Sequence, residues 1–205
     1  GTTLVVMAVT IAMAVGFQRD NVELQFVENY AWIPSFGINF SLGVDAIALV
    51  LILMSTILAP IVVLAGWDEA HGGRWSVKTF YILILVLETM MIGVFAATDL
   101  FLFYVIFEAM LIPVYFLIGG YGTGERAAAA VKFLLYSLFG GLLMLASIIA
   151  LYVMSGAQGG HTFDIDKLSQ LQMSSTTQNL LFLGFFIAFA IKAPLWPFHT
   201  WLPDA

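Results

Sequence analysis

Six apolar segments determine what this chain can fold into. Each is long enough, or nearly so, for a helix that crosses a bilayer, since about 20 residues at ~1.5 Å per residue span a ~30 Å hydrocarbon core. The sequence therefore predicts an all-α polytopic membrane protein, a helix bundle surrounded by lipid. The predicted helices are residues 3–17, 42–66, 79–97, 100–119, 127–154 and 179–192, the last followed by a break.

The composition excludes several classes of protein. Hydrophobic residues make up 61% of the 205 residues and charged residues only 10%, whereas a soluble domain is about half apolar and about a quarter charged. The net charge is −6, with only 7 basic residues. Nucleic acid is therefore not expected as a partner, because binding it requires clustered basic side chains.

Ligands for metals and redox centres are scarce. The chain has no cysteine, which excludes disulfides, iron–sulfur clusters and thiolate zinc sites from it. His71, His161 and His199 are scattered and lack metal-site spacing. We expect no cofactor and no metal in this chain. Because it begins at Gly1 inside an apolar segment and stops soon after a half-length one, we also expect it to be part of a longer protein.

Polar connections separate the segments. The third is very short, and Asp99 within it is placed to cap the helix that follows. In the first connection, residues 22–26 and 38–42 alternate between apolar and polar positions on either side of Pro34 and Gly37. This pattern predicts a small surface hairpin.

Basic residues in the connections predict the orientation in the membrane. They are more frequent in the second and fourth connections than in the first, third and fifth. By the positive-inside rule, this bias places the second and fourth connections in the cytoplasm. The second and fourth connections hold Arg74, Lys78 and Arg126, whereas the other three hold only Arg19 and Lys167.

Glu108 is the first candidate functional residue, because it lies near the middle of the fourth segment. Insertion scales put a charge at the bilayer centre at about 2.5–3.5 kcal/mol, so such a group suggests a function. Pro113, five residues on, removes a backbone hydrogen bond and bends the helix near the carboxyl group. The alternative is a protonated glutamate bonded to a neighbouring helix.

Lys192 is the second candidate. It follows twelve apolar residues, 180–191, which form roughly 18 Å of helix and reach about halfway across the core. Three prolines follow, so we expect the helix to end between Lys192 and Pro197. Non-helical backbone at that depth is tolerated only where protein or water surrounds it, as at the broken helices of transporters. The alternative is a short surface helix whose lysine reaches the interface.

Together the two residues suggest a switchable acid–base pair. Burial alone favours the neutral form of each, and a close partner of opposite charge favours the ionised forms. Moving Glu108 away from Lys192 would therefore make the lysine release a proton and later bind another. A change in distance is in this way converted into proton movement.

Three weaker candidates each have two possible roles. Glu88, midway along the third segment, either extends a polar axis or bonds to another helix. Lys132, about one turn inside the fifth segment, is a relay or a lysine that reaches the interface. His199, in the broken stretch, is a relay near neutral pH or a cap for loose backbone. We interpret Asp45 and Asp204 as cap or turn residues.

Several stretches resemble a known family. Residues 107–118 (FEAMLIPVYFLI) and 185–205 (FFIAFAIKAPLWPFHTWLPDA) are similar to the antiporter-like membrane subunits of proton-pumping NADH:quinone oxidoreductase, respiratory complex I. Residues 32–38 (WIPSFGI) and 42–47 (LGVDAI) narrow the resemblance to the branch called chain M, or chain 4 in mitochondria. The resemblance extends from about Tyr30 to the end of the chain.

This resemblance implies a fold of fourteen helices built around two inverted five-helix repeats, each with one broken helix. The chain would cover the second helix to the first half of the seventh. Glu108 matches the family's key glutamate, Lys192 the key lysine at the helix break, and Lys132 a further lysine of many members. The pair would drive proton translocation coupled to quinone chemistry elsewhere in the complex.

The resemblance also implies the surroundings of the chain. NADH, FMN, iron–sulfur clusters and quinone would be bound by partner subunits, and neighbouring antiporter-like subunits would pack beside this one. The expected location is an energy-transducing membrane, with the bacterial cell membrane as the first choice. Three other functions stay open: a subunit of a multi-subunit cation/proton antiporter, a subunit of a membrane-bound hydrogenase, and a structural scaffold.

Overall fold

Apolar helices and one β-hairpin make up the chain. The computed structural model describes residues 1–18, 20–21, 23–71 and 73–204, apart from the side chain of Glu69. The helices are α1 (Thr2–Gly16), α2 (Ala46–Ala65), α3 (Val77–Ala96), α4 (Leu100–Ala109), α5 (Leu111–Tyr121), α6 (Arg126–Gly156), α7 (Ile165–Ser169) and α8 (Ser175–Lys192). The strands are β1 (Gln25–Ile33) and β2 (Ile38–Val44).

Five helical spans in the described part of the chain are long and apolar enough to cross a membrane. They are α2, α3, α6, α8 and the combined α4–α5 unit, which runs from Leu100 to Tyr121. Helix α1 is apolar but has only 15 residues. The predicted membrane fold, a helix bundle, is confirmed.

Side-chain caps set where two helices begin. Asp45 accepts a hydrogen bond from the Ala48 amide at 2.7 Å, and α2 starts at Ala46 because β2 occupies residues that hydropathy had assigned to the helix. Ser174 accepts from the Thr177 amide at 3.2 Å. This cap starts α8 at Ser175, four residues before the predicted apolar start.

The hairpin joins α1 to α2. Strands β1 and β2 pair antiparallel through a 3₁₀ turn at Pro34–Phe36, and Gly37 has a φ of 68°, a conformation that glycine adopts without steric cost. The first strand begins at Gln25, later than the predicted alternation at 22–26. Val22, together with the predicted orientation residue Arg19, lies outside the described residues.

Asp99 fastens the hairpin to the bundle. Its Oδ1 accepts from the amides of Phe101 and Leu102, and its Oδ2 accepts from the amide of Asn39 in β2 at 3.0 Å. Its side chain is almost fully buried, with 2% of its surface exposed. The predicted cap of α4 therefore also holds β2, and it gathers the first and third connections at one end of the bundle.

The second and fourth connections meet at the opposite end. The Arg74 amide donates to the Gly120 carbonyl at 2.7 Å, and the Tyr121 hydroxyl donates to the Ser76 carbonyl at 2.6 Å. The fifth connection lies with the first and third, because the Leu100 amide donates to the Phe163 carbonyl. The second and fourth connections thus lie at one end and the other three at the opposite end, as the loop charges predict. That the first of these ends faces the cytoplasm stays a prediction.

Helices α6 and α8 pack closely and antiparallel. A Cβ added to Gly140 would come within 3.1 Å of the Ala188 Cα, and one added to Gly184 would overlap the Ser147 hydroxyl. Small residues of this kind let helix backbones approach in a membrane. The two contacts set the register between the helices.

Removing the carboxylate of Asp99 is expected to release the hairpin. In the full-length protein, Asp99→Ala should destabilise this end of the bundle by about 2–4 kcal/mol, since a lost cap costs ~0.5–2 and a buried unpaired donor ~1–3 kcal/mol. Chymotrypsin cleavage within residues 25–44, followed against temperature, measures the effect. Asp99→Asn, which still caps a helix, should cost less. Equal protection of all three proteins would contradict the assignment.

Candidate functional site

Glu108 lies in the last turn of α4, beside an interruption of the membrane span. Helix α4 ends at Ala109 and α5 begins at Leu111, with Met110 between them. Pro113 has no amide hydrogen, so it cannot donate to the Ala109 carbonyl four residues earlier. The interruption thus lies where the proline predicted it, directly beside the carboxyl group.

Gly141 of α6 provides the space for the Glu108 carboxylate. A Cβ placed on Gly141 would overlap Oε1 and the carboxyl carbon of Glu108. Glu108 is half-buried in this chain. The carboxylate therefore rests against bare helix backbone at the middle of the longest helix.

The Lys192 amine is enclosed at the other side of the site. Its Nζ lies 4.9 Å from the centre of the Phe107 ring and 5.9 Å from that of Phe133. Each phenylalanine is seven residues, or about 10 Å of helix, from the start of its helix, and α4 and α6 start at opposite ends of the bundle. The amine therefore lies in the interior of the bundle, between its two ends.

No described residue accepts a hydrogen bond from the Lys192 amine, which is buried. The aromatic faces attract the cation, and the carbonyls at the C-terminus of α8 add partial negative charge. Phe107, whose ring faces the amine, directly precedes Glu108 in α4. Glu108 and Lys192 do not form an ion pair; the ion pairs among the described residues are Lys132–Asp204 and Lys167–Asp164.

The break after Lys192 is held by specific hydrogen bonds. The Ala193 amide donates to the Phe189 carbonyl at 2.7 Å, and a 3₁₀ helix follows at Phe198–Asp204. Trp201 Nε1 donates to the Ile191 carbonyl at 2.9 Å, which satisfies a carbonyl left open where α8 ends. The predicted broken helix is confirmed.

Among the described residues, none of the weaker candidates forms a hydrogen bond to this pair. Glu88 is 2% exposed, and its buried Oε1 has no hydrogen-bond partner among the described residues. His199 has a buried Nδ1 that also lacks one within residues 1–18, 20–21, 23–71 and 73–204. Lys132 donates to the Thr200 carbonyl and pairs with Asp204, both at 2.6 Å, and its side chain is 35% exposed. Asp45 is a cap, as predicted, whereas Asp204 is an ion-pair partner.

Sequence reasoning missed four residues of the site. Phe107 and Phe133 face the amine. Gly141 and Trp201 were not singled out. The glycine pair at 140–141, in the middle of a 31-residue apolar helix, was the available signal, since such glycines usually mark a close approach. The described residues contain no group of three metal-ligating side chains.

A methyl group at Gly141 is expected to disturb the site without removing any charge. Gly141→Ala would displace the Glu108 carboxylate, and a misplacement of about 1 Å can cost up to ~100-fold in rate. We expect a loss of roughly tenfold or more in the activity that depends on Glu108, in the full-length protein. Gly119→Ala is the matched control, because its Cβ would lie 3.6 Å from the Ala130 Cβ, an ordinary contact. Normal activity of Gly141→Ala would contradict the contact.

The sequence profile described as NADH:quinone oxidoreductase/Mrp antiporter, TM, matches residues 97–205, which include Glu108, Gly141 and Lys192. The chain belongs to this family. NADH-quinone oxidoreductase subunit M of Mycobacterium tuberculosis (strain CDC 1551 / Oshkosh) is 44% identical to this chain. The match covers 99% of this chain and 43% of that relative. The resemblance to antiporter-like subunits, and to the M branch, is confirmed.

Solved structures agree with the family assignment. Respiratory complex I from Thermus thermophilus with bound NADH contains a chain that matches with a TM-score of 0.81 and 30% identity, over 98% of this chain and 41% of that one. The Mrp complex from Dietzia sp. DQ12-45-1b contains a chain that matches with a TM-score of 0.82 and 20% identity. This match covers 98% of this chain and 21% of that one. The second match shows a shared fold. The chain spans less than half the length of each of these relatives.

Proposed function

We propose that the full-length protein is a proton-translocating membrane-arm subunit of an NADH:quinone oxidoreductase. One observation carries the proposal: the buried Lys192 amine lies at a helix break and faces Phe107, the residue directly before a glutamate at a second helix interruption. The 44% identity to subunit M, with 30% identity to a chain of complex I, supports this function over the antiporter, for which the likeness is one of fold.

Glu108 and Lys192 exchange and release protons in this proposal. An ionised Glu108 attracts the ammonium of Lys192, which otherwise has aromatic faces and helix carbonyls around it. When the carboxylate moves away or is protonated, the ammonium loses that attraction and gives up its proton. Return of the carboxylate restores binding, so one proton moves per cycle of approach and separation. Glu88, Lys132 and His199 are the proposed relays.

Electron transfer takes place elsewhere in this proposal. NADH, FMN, iron–sulfur clusters and quinone belong to partner subunits, and neighbouring antiporter-like subunits cover the apolar surface of this one. The chain contributes no redox group. The complex resides in an energy-transducing membrane, for which we propose the bacterial cell membrane.

The function is tested in sealed, inverted membrane vesicles in which the full-length protein is the only copy of this subunit. NADH should acidify the vesicle interior in a sodium-free buffer, and an inhibitor of the quinone site should stop the acidification. A cation/proton antiporter would behave differently: sodium would collapse a proton gradient made by another pump, without any need for NADH. Acidification that does not depend on this subunit would reject the proposal.

A further inference from the structure

We propose that the Ser137 hydroxyl is a proton relay between Lys192 and Glu108, an inference that rests on the proposed function. Ser137 belongs to α6 and is 6% exposed. Its Oγ is buried and has no hydrogen-bond partner among residues of the described ranges. Other hydroxyls of these helices behave differently, as Ser147 donates to the Leu143 carbonyl four residues back.

The register of α6 puts Ser137 between the contacts of the two charged groups. Phe133, Ser137 and Gly141 follow one another at intervals of four residues, so they lie on one side of the helix, about 6 Å of rise apart. Phe133 faces the Lys192 amine, and Gly141 faces the Glu108 carboxylate. The hydroxyl is one turn from each contact.

The packing of α6 on α8 independently places Ser137 near Lys192. Gly140 contacts Ala188 and Ile191, and Gly184 contacts Ser147. In an antiparallel pair with that register, Ser137 lies level with the end of α8, where Lys192 is found. Ser137 is therefore close to the amine along the membrane normal as well as around the helix.

A hydroxyl is suited to this position because it both donates and accepts. Lys192 gives a proton to the Ser137 oxygen while that oxygen gives its own proton to the Glu108 carboxylate. One N–H bond breaks, one carboxyl O–H bond forms, and the hydroxyl is regenerated. The reverse transfer uses the same bonds. Rotation about the lysine side chain, whose amine has no competing partner among the described residues, brings the groups into reach.

The test compares Ser137→Ala and Ser137→Thr in the full-length subunit, assembled in its complex in vesicles. Ser137→Ala should slow NADH-driven proton pumping roughly tenfold, a modest part of the ~10²–10⁴ that a positioned proton-transfer group supplies. Ser137→Thr, which keeps the hydroxyl, should stay within about twofold of the original rate, a recovery that lost packing alone does not explain. Ser147→Ala is the matched control and should pump normally.

Three outcomes would overturn the inference: normal pumping by Ser137→Ala, an equal loss in Ser147→Ala, or no recovery in Ser137→Thr. If Ser137→Ala does not assemble, Ser137→Cys replaces it. Its weaker thiol donor should give an intermediate rate, and a normal rate would reject the relay. Glu108→Gln in the same membranes separates the two proposals, because normal pumping there rejects the function itself, whereas its loss beside a normal Ser137→Ala rejects only the relay.

Discussion

Vesicles that carry Glu108→Gln in the full-length subunit are expected to lose most NADH-driven proton pumping. Glutamine has nearly the shape of glutamate, so it still fits against Gly141, but it can neither bind a proton nor attract the Lys192 ammonium. A positioned proton-transfer group contributes about 10²–10⁴-fold. We expect pumping by this subunit to fall at least tenfold and, through coupling, NADH:quinone turnover to fall with it. Fluorescence quenching of a pH-sensitive dye measures proton pumping, and the decrease in NADH absorbance measures turnover.

Glu125→Gln is the matched control for this change. It makes the same replacement of carboxyl by amide at an exposed residue directly before α6, and it should pump normally. Assembly of each complex is checked on a native gel. Undiminished pumping by an assembled Glu108→Gln complex would refute the role of the carboxylate and leave the protonated, structurally bonded glutamate as the better reading.

The second large effect is expected from Lys192→Met, and it has two parts with opposite signs. Pumping should fall at least tenfold, because methionine cannot carry a proton. The thermal stability of the assembled complex should stay the same or rise, since burying an amine without a hydrogen-bond partner is costly and an apolar side chain of similar length removes that cost. Dye quenching and a thermal melt on the same preparation measure the two parts.

Lys192→Arg separates charge from proton exchange. Arginine keeps the positive charge beside Phe107 but does not release its proton in proteins, so this variant should also fail to pump. Recovery of pumping in Lys192→Arg would mean that a fixed charge suffices at this position. A melting temperature that falls in Lys192→Met would instead assign the lysine a structural role.

The depth of the two charged groups could be predicted by counting residues. Twelve apolar positions followed by Pro194 left Lys192 no regular helix beyond the middle of the membrane, and α8 does end at Lys192. Pro113 similarly marked the interruption beside Glu108. Both are local effects of proline on backbone hydrogen bonds, which sequence spacing records directly.

The partners of these groups could not be predicted in this way. Gly141 lies 33 residues beyond Glu108, and nothing local says which face of α6 the carboxylate meets. The double role of Asp99 likewise depends on Asn39, 60 residues away. Helix α7, Ile165–Ser169, was missed because its five residues are too few for a periodic pattern and its stability comes from the Asp164 cap.

The bond from Trp201 to the Ile191 carbonyl has an electrical consequence. It fixes the backbone next to Lys192, so the lysine charge travels by side-chain rotation alone, over a swing of about 6 Å given its four-carbon stem. That is roughly a fifth of the ~30 Å core, across which one charge gains about 2.3 kcal/mol per 100 mV. The lysine step then senses only about 0.5 kcal/mol per 100 mV, so about 100 mV alters its rate about twofold and most of the voltage dependence belongs to other steps.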